Sequence, residues 1–559
     1  ATQIISVSFA APSPGSLDGT DGFTLHGVEF DDYSGWSVSS AGDINGDGYD
    51  DVIIGAPRAD VPGIDPITYA GESYVVFGNA GTWNGGSFDL SSLDGSNGFV
   101  LQGYEPSDES GFSVASAGDV NGDGYDDVII GAPYADGPGT EAPDSGKSYV
   151  VFGKADWSGT ATVDLGSLDG TDGFILDGDF DFDRSGTSVA SAGDINGDGY
   201  DDVIIGAPRA DVPGIDPITD AGRSYVVFGK TDWSATANVD LTALDGSDGF
   251  AVLGISFFDD SGTSVSSAGD VNGDGFDDFI IGAPFANPGA TDTAGETFVV
   301  FGKADWSGTA EFDLASLDTN NGFRIQGGTD YENSGLSVSS AGDVNGDGFD
   351  DIIIGAPQLG GDGYDYAPGS AYVVFGKATW TNDVDLGSLG SDGFAIAGEA
   401  TYDKAGWSVS GAGDVNGDGY DDMLVGARDA ATDAGAVYLI YGKASGLTGT
   451  IDLANLSSSD GFKIAGLDAN DESGRSVSGA GDINGDGFDD LIIGAPFGDS
   501  YSPYGYDFYN EGESYVLFGG DFNGTISFAG DENANTLTDG TTAAETFVAG
   551  DGADTIDGG

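Results

Sequence analysis

Asp43-Ile44-Asn45-Gly46-Asp47-Gly48-Tyr49-Asp50-Asp51 recurs almost letter for letter six more times, beginning at Asp119, Asp194, Asp270, Asp343, Asp414 and Asp482. Its spacing is that of a calcium loop. Side-chain oxygens at positions one, three and five, a backbone carbonyl at seven and a carboxylate at nine can surround one hard cation, and glycine at position six permits the sharp turn. In the first copy the ligands are expected to be Asp43, Asn45, Asp47, the carbonyl of Tyr49, and Asp51. The second and third copies offer Asp119, Asn121, Asp123, Tyr125 and Asp127, then Asp194, Asn196, Asp198, Tyr200 and Asp202. The fourth and fifth offer Asp270, Asn272, Asp274, Phe276 and Asp278, then Asp343, Asn345, Asp347, Phe349 and Asp351. The last two offer Asp414, Asn416, Asp418, Tyr420 and Asp422, then Asp482, Asn484, Asp486, Phe488 and Asp490. Ile54 stands where a helix–loop–helix hand has its twelfth-position glutamate, so Asp51 is expected to supply the bidentate carboxylate.

The plainer alternative is an acidic turn with no ion, since Asp, Asn and Gly favour turns by themselves. A turn needs one or two such residues, however, and three carboxylates within nine positions repel one another unless a cation lies between them. About seven calcium ions, one per copy, are therefore expected.

Composition agrees. Of 559 residues, 15 are Lys or Arg and 95 are Asp or Glu, a net charge of −80. Nearly all the acids are Asp, beside 99 Gly, a bias toward turns and metal loops rather than charged helices. Such a charge disfavours nucleic acid and anionic membrane as partners. With no Cys there is neither a disulfide framework nor a thiolate metal site. Calcium loops are an alternative staple suited to a calcium-rich compartment outside the cell. No apolar run reaches the length of a membrane span, so no membrane insertion is expected, and residues 1–14 lack the pattern of a signal peptide.

Residues 1–20 read as a leader with one short apolar stretch at 4–9. From 21 to 520 a unit of 68 to 76 residues repeats, each with four short strand signals in fixed order. In the first unit these are Gly22-Phe23-Thr24-Leu25-His26-Gly27, Trp36-Ser37-Val38-Ser39-Ser40-Ala41, Val52-Ile53-Ile54-Gly55-Ala56-Pro57 and Ser73-Tyr74-Val75-Val76-Phe77-Gly78. No stretch shows helical periodicity, and short β-rich runs divided by Gly, Pro and Asp indicate an all-β array. Four strands in each of seven units predict a seven-bladed β-propeller of four-stranded antiparallel blades.

The alternating Gly-Phe strand suits the outer, half-exposed edge of a blade, so His26, the lone histidine, reads as a surface strand residue. No Gly-Phe strand follows Phe518-Gly519, and the N-terminal one has no earlier blade to serve. It is expected to complete the seventh blade and close the ring, which removes two sheet edges. The calcium loops then share a face with the segments after Phe-Gly, and the loops after Gly-Ala-Pro share the other. Trp83, Trp157, Trp233, Trp306 and Trp380 recur at equivalent positions, which favours packing over recognition. The loops after Gly-Ala-Pro vary in length. Those at 58–66 and 209–217 are nearly identical, the sixth has Arg428 in place of proline, and the seventh holds Tyr501, Tyr504, Tyr506, Phe508 and Tyr509. That aromatic loop is either self-packed or a recognition patch.

Beyond Gly520 the character changes. Residues 550–559 match the Gly-x-Gly-x-Asp nonapeptide of a calcium β-roll, with a looser copy at 530–537. One copy cannot fold alone, so 521–559 read as the start of a second repeat region, cut short and mobile.

Phe-Gly followed later by Gly-Ala-Pro, with Asp-x-Asn-Gly-Asp-Gly-x-x-Asp between, resembles the FG-GAP repeat over residues 20–520. That family includes the propeller heading integrin α-subunits, some fungal lectins and many bacterial surface proteins. The resemblance implies calcium at the positions already named. A full set in seven blades departs from integrin α propellers, which carry the ion in only some, and Gly426-Ala427-Arg428 departs from Gly-Ala-Pro. The tail resembles the RTX repeats of proteins exported by type I secretion.

The leading expectation is a secreted or surface adhesion module that presents loops to an extracellular protein or glycan, with calcium structural. A calcium-dependent lectin is the alternative, and a polysaccharide-active enzyme or self-assembly on a cell surface are lower ones. With one His, no Cys and most Asp in repeated loops, no catalytic set stands out, and the chain is expected not to be an enzyme. Its oligomeric state is not legible.

Overall fold

The computed structural model describes residues 17–520, apart from 62–68, 138–142, 213–219, 359–366, 499–509 and residues 82, 84, 179, 290 and 382. Beyond 520 it describes Phe522 and four short strands. The stretch at 4–9, the aromatic loop 501–509 and much of the loops after Gly-Ala-Pro thus lie outside the described residues.

Seven small sheets form the propeller. In the first blade, Ser37–Gly42 pairs antiparallel with Asp51–Ala56, then Glu72–Val76, then Gly98–Gln102. Burial follows this order. Every residue of Asp51–Ala56 and Glu72–Val76 is buried, as β-branched strands between neighbouring sheets should be, whereas the inner and outer strands alternate. Each inner strand bulges near its end, in blade one between Ser40 and Gly42, and so turns the chain into the aspartate loop.

The inner strands ring the axis and are stapled by serines. Val38 N–H donates to Ser476 Oγ at 3.0 Å, and Ser37 Oγ donates to the Gly111 carbonyl at 3.0 Å. The same pattern recurs where Val409 N–H meets Ser337 Oγ and Ser408 Oγ meets the Gly474 carbonyl.

The ring closes as expected. Gly22–His26 pairs antiparallel with Glu513–Leu517, Gly22 opposite Leu517 and His26 opposite Glu513. His26 is more than a surface strand residue. Its Nδ1 lies 3.0 Å from Glu513 Oε1 and its Nε2 3.0 Å from Ser87 Oγ, so it ties three strands of the closing blade. That carboxylate, outweighing burial, raises the imidazole pKa.

The blades are wider than expected. Six of the seven sheets have a fifth strand, contributed by the following repeat and running parallel to the outer strand. In blade one this is Thr162–Asp164 beside Gly98–Gln102. A 3₁₀ turn follows at Leu165–Ser167, with Asp164 accepting from Gly166 N–H and Leu165 buried. The segment before this strand brings the repeated tryptophan back onto the previous blade. Trp157 stacks on Phe99 with ring centroids 3.8 Å apart, and Trp83, Trp233, Trp306 and Trp380 stack likewise on Phe23, Phe174, Phe250 and Phe323. Lys154 Nζ lies over the Trp157 ring, 4.0 Å from its centroid. These tryptophans are packing elements.

In the tail, Ile526–Ala529 pairs in parallel with Thr546–Val548, and Thr536–Asp539 with Thr555–Gly558.

Candidate metal centres

Every aspartate loop lies between an inner strand and the buried second strand, so all seven sit on one face of the ring. In the first loop the Asp43 carboxylate accepts N–H bonds from Asp47 at 3.0 Å and Gly48 at 2.9 Å, and Asp47 accepts from Tyr49 N–H at 3.1 Å. Asp51 is fully buried and accepts from Ile44 N–H at 3.1 Å and Gly78 N–H at 2.8 Å. Asn45 turns its amide nitrogen toward Asp51, 3.3 Å from Oδ2. Positions one, three, five and nine therefore lie in one hairpin. Their carboxylates are turned largely to loop amides, and among the described residues no three His, Cys, Asp or Glu side chains meet in a single cluster.

The donor set nonetheless fits calcium. All five positions offer oxygen, the ligand type this hard cation takes. Asn416, at position three of the sixth loop, has a buried Oδ1 with no hydrogen-bond partner, and Asn484 in the seventh loop likewise directs nitrogen, not oxygen, at the position-nine carboxylate. Burial, with Asp47 and Asp43 alongside, pushes the Asp51 carboxyl up to about 9, and Asp127 and Asp278 up to about 8 for the same reasons. When bound, calcium would neutralise this crowding. Position six is glycine for its backbone, since Gly48 has φ +92° and open space around it. Position four has a second reason, because a Cβ on Gly46 would come within 2.3 Å of the Tyr125 ring from the next blade.

Two contacts escaped the sequence reading. The first is the glycine of Phe-Gly. Gly78 N–H donates to Asp51, and Gly153, Gly229, Gly302, Gly376, Gly442 and Gly519 do the same for the other position-nine aspartates, all at 2.7–2.9 Å. The second is position eight. Asp126 Oδ2 accepts from Asp43 N–H of the preceding blade at 2.8 Å, and Asp201, Asp277, Asp350, Asp421 and Asp489 continue round the ring. Asp50 closes the circle on Asp482 N–H at 2.8 Å, joining the first blade to the last. The constancy of this Asp across seven copies was the available signal.

The opposite face carries the crossovers from each outer strand to the next inner strand. Each buries one acid: Asp32, Asp108, Asp183, Asp259, Glu332, Asp403 and Asp471. Burial pushes Asp32, Asp108 and Asp183 up to about 7. The residues on either side of each acid have positive φ, for instance Phe182 at 66° and Arg184 at 57°. Arg428, which replaces proline in the sixth loop, lies 3.4 Å over the Trp407 ring and 3.0 Å from Asp429. Arg475 lies 3.7 Å over Trp36 and pairs with Glu472 at 2.8 Å. No helix among the described residues is long and apolar enough to cross a membrane.

The sequence is similar to those of known proteins. The bovine phosphatidylinositol-glycan-specific phospholipase D is 27% identical over 425 residues, covering 73% of this chain and 46% of that protein. Chicken integrin alpha-V is 30% identical over 252 residues, 44% of this chain and 20% of its own length. Integrin alpha-5 of Xenopus laevis is 32% identical over 258 residues, 45% and 20%. The chain thus spans less than half the length of these relatives. The structure of Sqt1 from Chaetomium thermophilum covers 91% of this chain and 92% of its own at 12% identity and a TM-score of 0.37, too loose a match to argue from.

The phospholipase match overturns the expectation that the chain is not an enzyme. An enzyme is among the proteins it resembles over most of its length. The scarcity of His, Cys, Lys and Arg reflects seven copies of one structural repeat, and a shared repeat does not separate enzymes from receptors. The FG-GAP repeat profile itself matches residues 34–76, 110–151, 185–227, 261–300, 334–374, 405–440 and 473–517, more than half of the sequence and one stretch in every blade. The chain belongs to the FG-GAP repeat family.

Proposed function

We propose that this propeller is a calcium-stiffened recognition module acting outside cells, which presents its crossover face to an extracellular protein or glycan. One observation carries the reading: seven oxygen-donor loops lie together on one face, each tied to its own blade by the position-nine aspartate and to the preceding blade by position eight. An ion in each loop holds those hairpins and leaves the opposite face, where sequence varies most, to meet partners. The integrin relatives support a protein or glycan partner over nucleic acid, and the net charge of −80 points the same way. In the tail, alternate short strands paired in parallel support the reading of residues 521–559 as the start of an RTX-type calcium roll. Export by type I secretion is part of the same proposal.

Equilibrium dialysis against radiolabelled calcium, with adhesion to immobilised matrix proteins and glycans in calcium and in chelator, tests the reading. The expected result is about seven ions on the propeller and adhesion that disappears with them. Adhesion unchanged by a chelator that strips the ions would refute it.

The phospholipase relatives favour a second reading, in which the propeller belongs to an enzyme acting on glycosylphosphatidylinositol. Release of an anchored reporter protein from vesicles by the whole protein that contains this propeller would support it; no release by that whole protein would remove it.

A further inference from the structure

Among the described residues, eight large hydrophobic side chains are exposed, and four of them are phenylalanines in two neighbouring crossovers. Phe180 and Phe182, 48% and 54% exposed, precede the third blade, whose inner strand is Ser188–Gly193. Phe257 and Phe258, 49% and 58% exposed, follow it. Phe182 and Phe258 occupy equivalent positions and both hold left-handed backbone, φ 66° and 59°. A bulky side chain there costs stability, and an exposed ring contributes little packing in return. Glycine would suit the backbone better. Against Phe180 lies a cavity of about 490 Å³ lined otherwise by strand and turn residues outside the crossovers, among them Arg223, Tyr225, Thr242, Ala251 and Glu311. Its volume falls in the range of small-molecule sites, and its walls mix aromatic surface with a guanidinium, a hydroxyl and a carboxylate.

We propose that this side of the crossover face binds a neutral polysaccharide, with the four phenylalanines as stacking platforms and the cavity beside Phe180 as a sugar subsite. The proposal rests on the recognition reading and names its ligand class. Three features select this occupant. One ring, Phe182 or Phe258, repeats at the equivalent position of adjacent crossovers, which suits a polymer of repeating units. Asp181 stands exposed between Phe180 and Phe182, and Asp260, partly exposed, follows Phe258 by two residues, so carboxylates border the rings, unlike the continuous apolar patch that a protein partner covers. Asp181 and Asp260 can accept hydroxyl hydrogen bonds, and the net charge of −80 repels polyanions.

The test is affinity electrophoresis of the full chain in calcium, in gels cast with β-glucan, xyloglucan or dextran, with polygalacturonate as the anionic comparison. Calorimetry then follows on whichever polymer retards it. The expected result is retardation by at least one neutral polymer and none by polygalacturonate. The Phe182→Gly/Phe258→Gly variant should bind at least about tenfold more weakly, because two stacking rings are gone. Its melting temperature should be unchanged or higher, because the left-handed positions are relaxed. Phe180→Ala, which leaves the backbone conformation alone, should weaken binding separately.

Retardation by no neutral polymer overturns the proposal, while the matrix-protein adhesion experiment still decides the broader reading. Glycan binding unaffected by either variant overturns the assignment to these rings. A lowered melting temperature with binding retained would show the rings to be structural, and this too overturns it.

Discussion

Replacing Phe23 with alanine tests whether the two ends of the chain hold the ring shut. Phe23 is fully buried in the N-terminal strand, stacked on Trp83 with centroids 3.8 Å apart and 5.9 Å from Phe518. Truncating a buried phenylalanine costs about 3–5 kcal/mol, a large part of the roughly 5–15 kcal/mol net stability of a folded domain. Phe174 is its counterpart in the second blade, equally buried and stacked on Trp233 at 3.7 Å. Phe174→Ala should therefore cost a similar amount in global stability.

The two variants should differ in where that cost appears. Gly22–His26 pairs with Glu513–Leu517, 487 or more positions away in sequence, and with Ser87–Asp89, so the clasp can open without breaking a hairpin of neighbouring strands. The strand bearing Phe174 pairs instead with Lys147–Val151, the strand that precedes it in the same sheet. In Phe23→Ala the opening of the clasp becomes easier by the same 3–5 kcal/mol. At 1.4 kcal/mol per decade, amide exchange in 22–26 and 513–517 should then accelerate between about a hundredfold and a few thousandfold. Phe174→Ala should leave exchange in its own blade coupled to global unfolding. Native-state hydrogen exchange by mass spectrometry reads both. The same exchange pattern in the two variants would refute the clasp.

Other expectations follow from the same contacts. Asp126→Ala leaves Asp43 N–H without its partner and should cost about 1–3 kcal/mol in urea unfolding. Asp126→Asn keeps an acceptor and relieves a carboxyl already raised by burial, so it should cost far less; equal costs would dismiss the inter-blade staple. Stability in chelator should rise as pH falls from 8 to about 5.5. Asp32, Asp108 and Asp183 are raised to about 7, above their unfolded values, so their contribution is complete at low pH and lost as pH climbs through the folded pKa. His26, also raised, acts in the same direction, its contribution complete below its unfolded value and lost as pH rises through the folded one. Thermal melts across that range check the sign, and a melting temperature that instead falls on acidification would contradict it.

Much of this architecture was legible because it repeats. Period, strand order, the common face of the aspartate loops and the closing strand all follow from counting motifs whose strands are either buried on both sides or alternating. The fifth strand was not. Val163 and Asp164 belong to a three-residue piece that pairs with the preceding blade, too short for alternation to show and placed by the tertiary stacking of Trp157. The position-eight aspartate passed as a neighbour of the ligand at position nine, though it faces another blade. His26 read as a surface residue because its partner Glu513 lies 487 positions away. The absence of a catalytic set was a weak guide to activity, since residues such as Asp43 and Asp51 are spent on structure in every blade, whatever the whole protein does.

The central claim is that calcium in the seven loops holds the ring together. A site filled at about 100 times its dissociation constant adds about 2.7 kcal/mol, so seven sites, even partly additive, exceed a domain's usual net stability. Differential scanning calorimetry of the chain in millimolar calcium and in excess chelator measures this directly. A melting temperature lower by tens of degrees in chelator, restored when calcium is returned, is the expected result. Superimposable melts in the two conditions would contradict the claim.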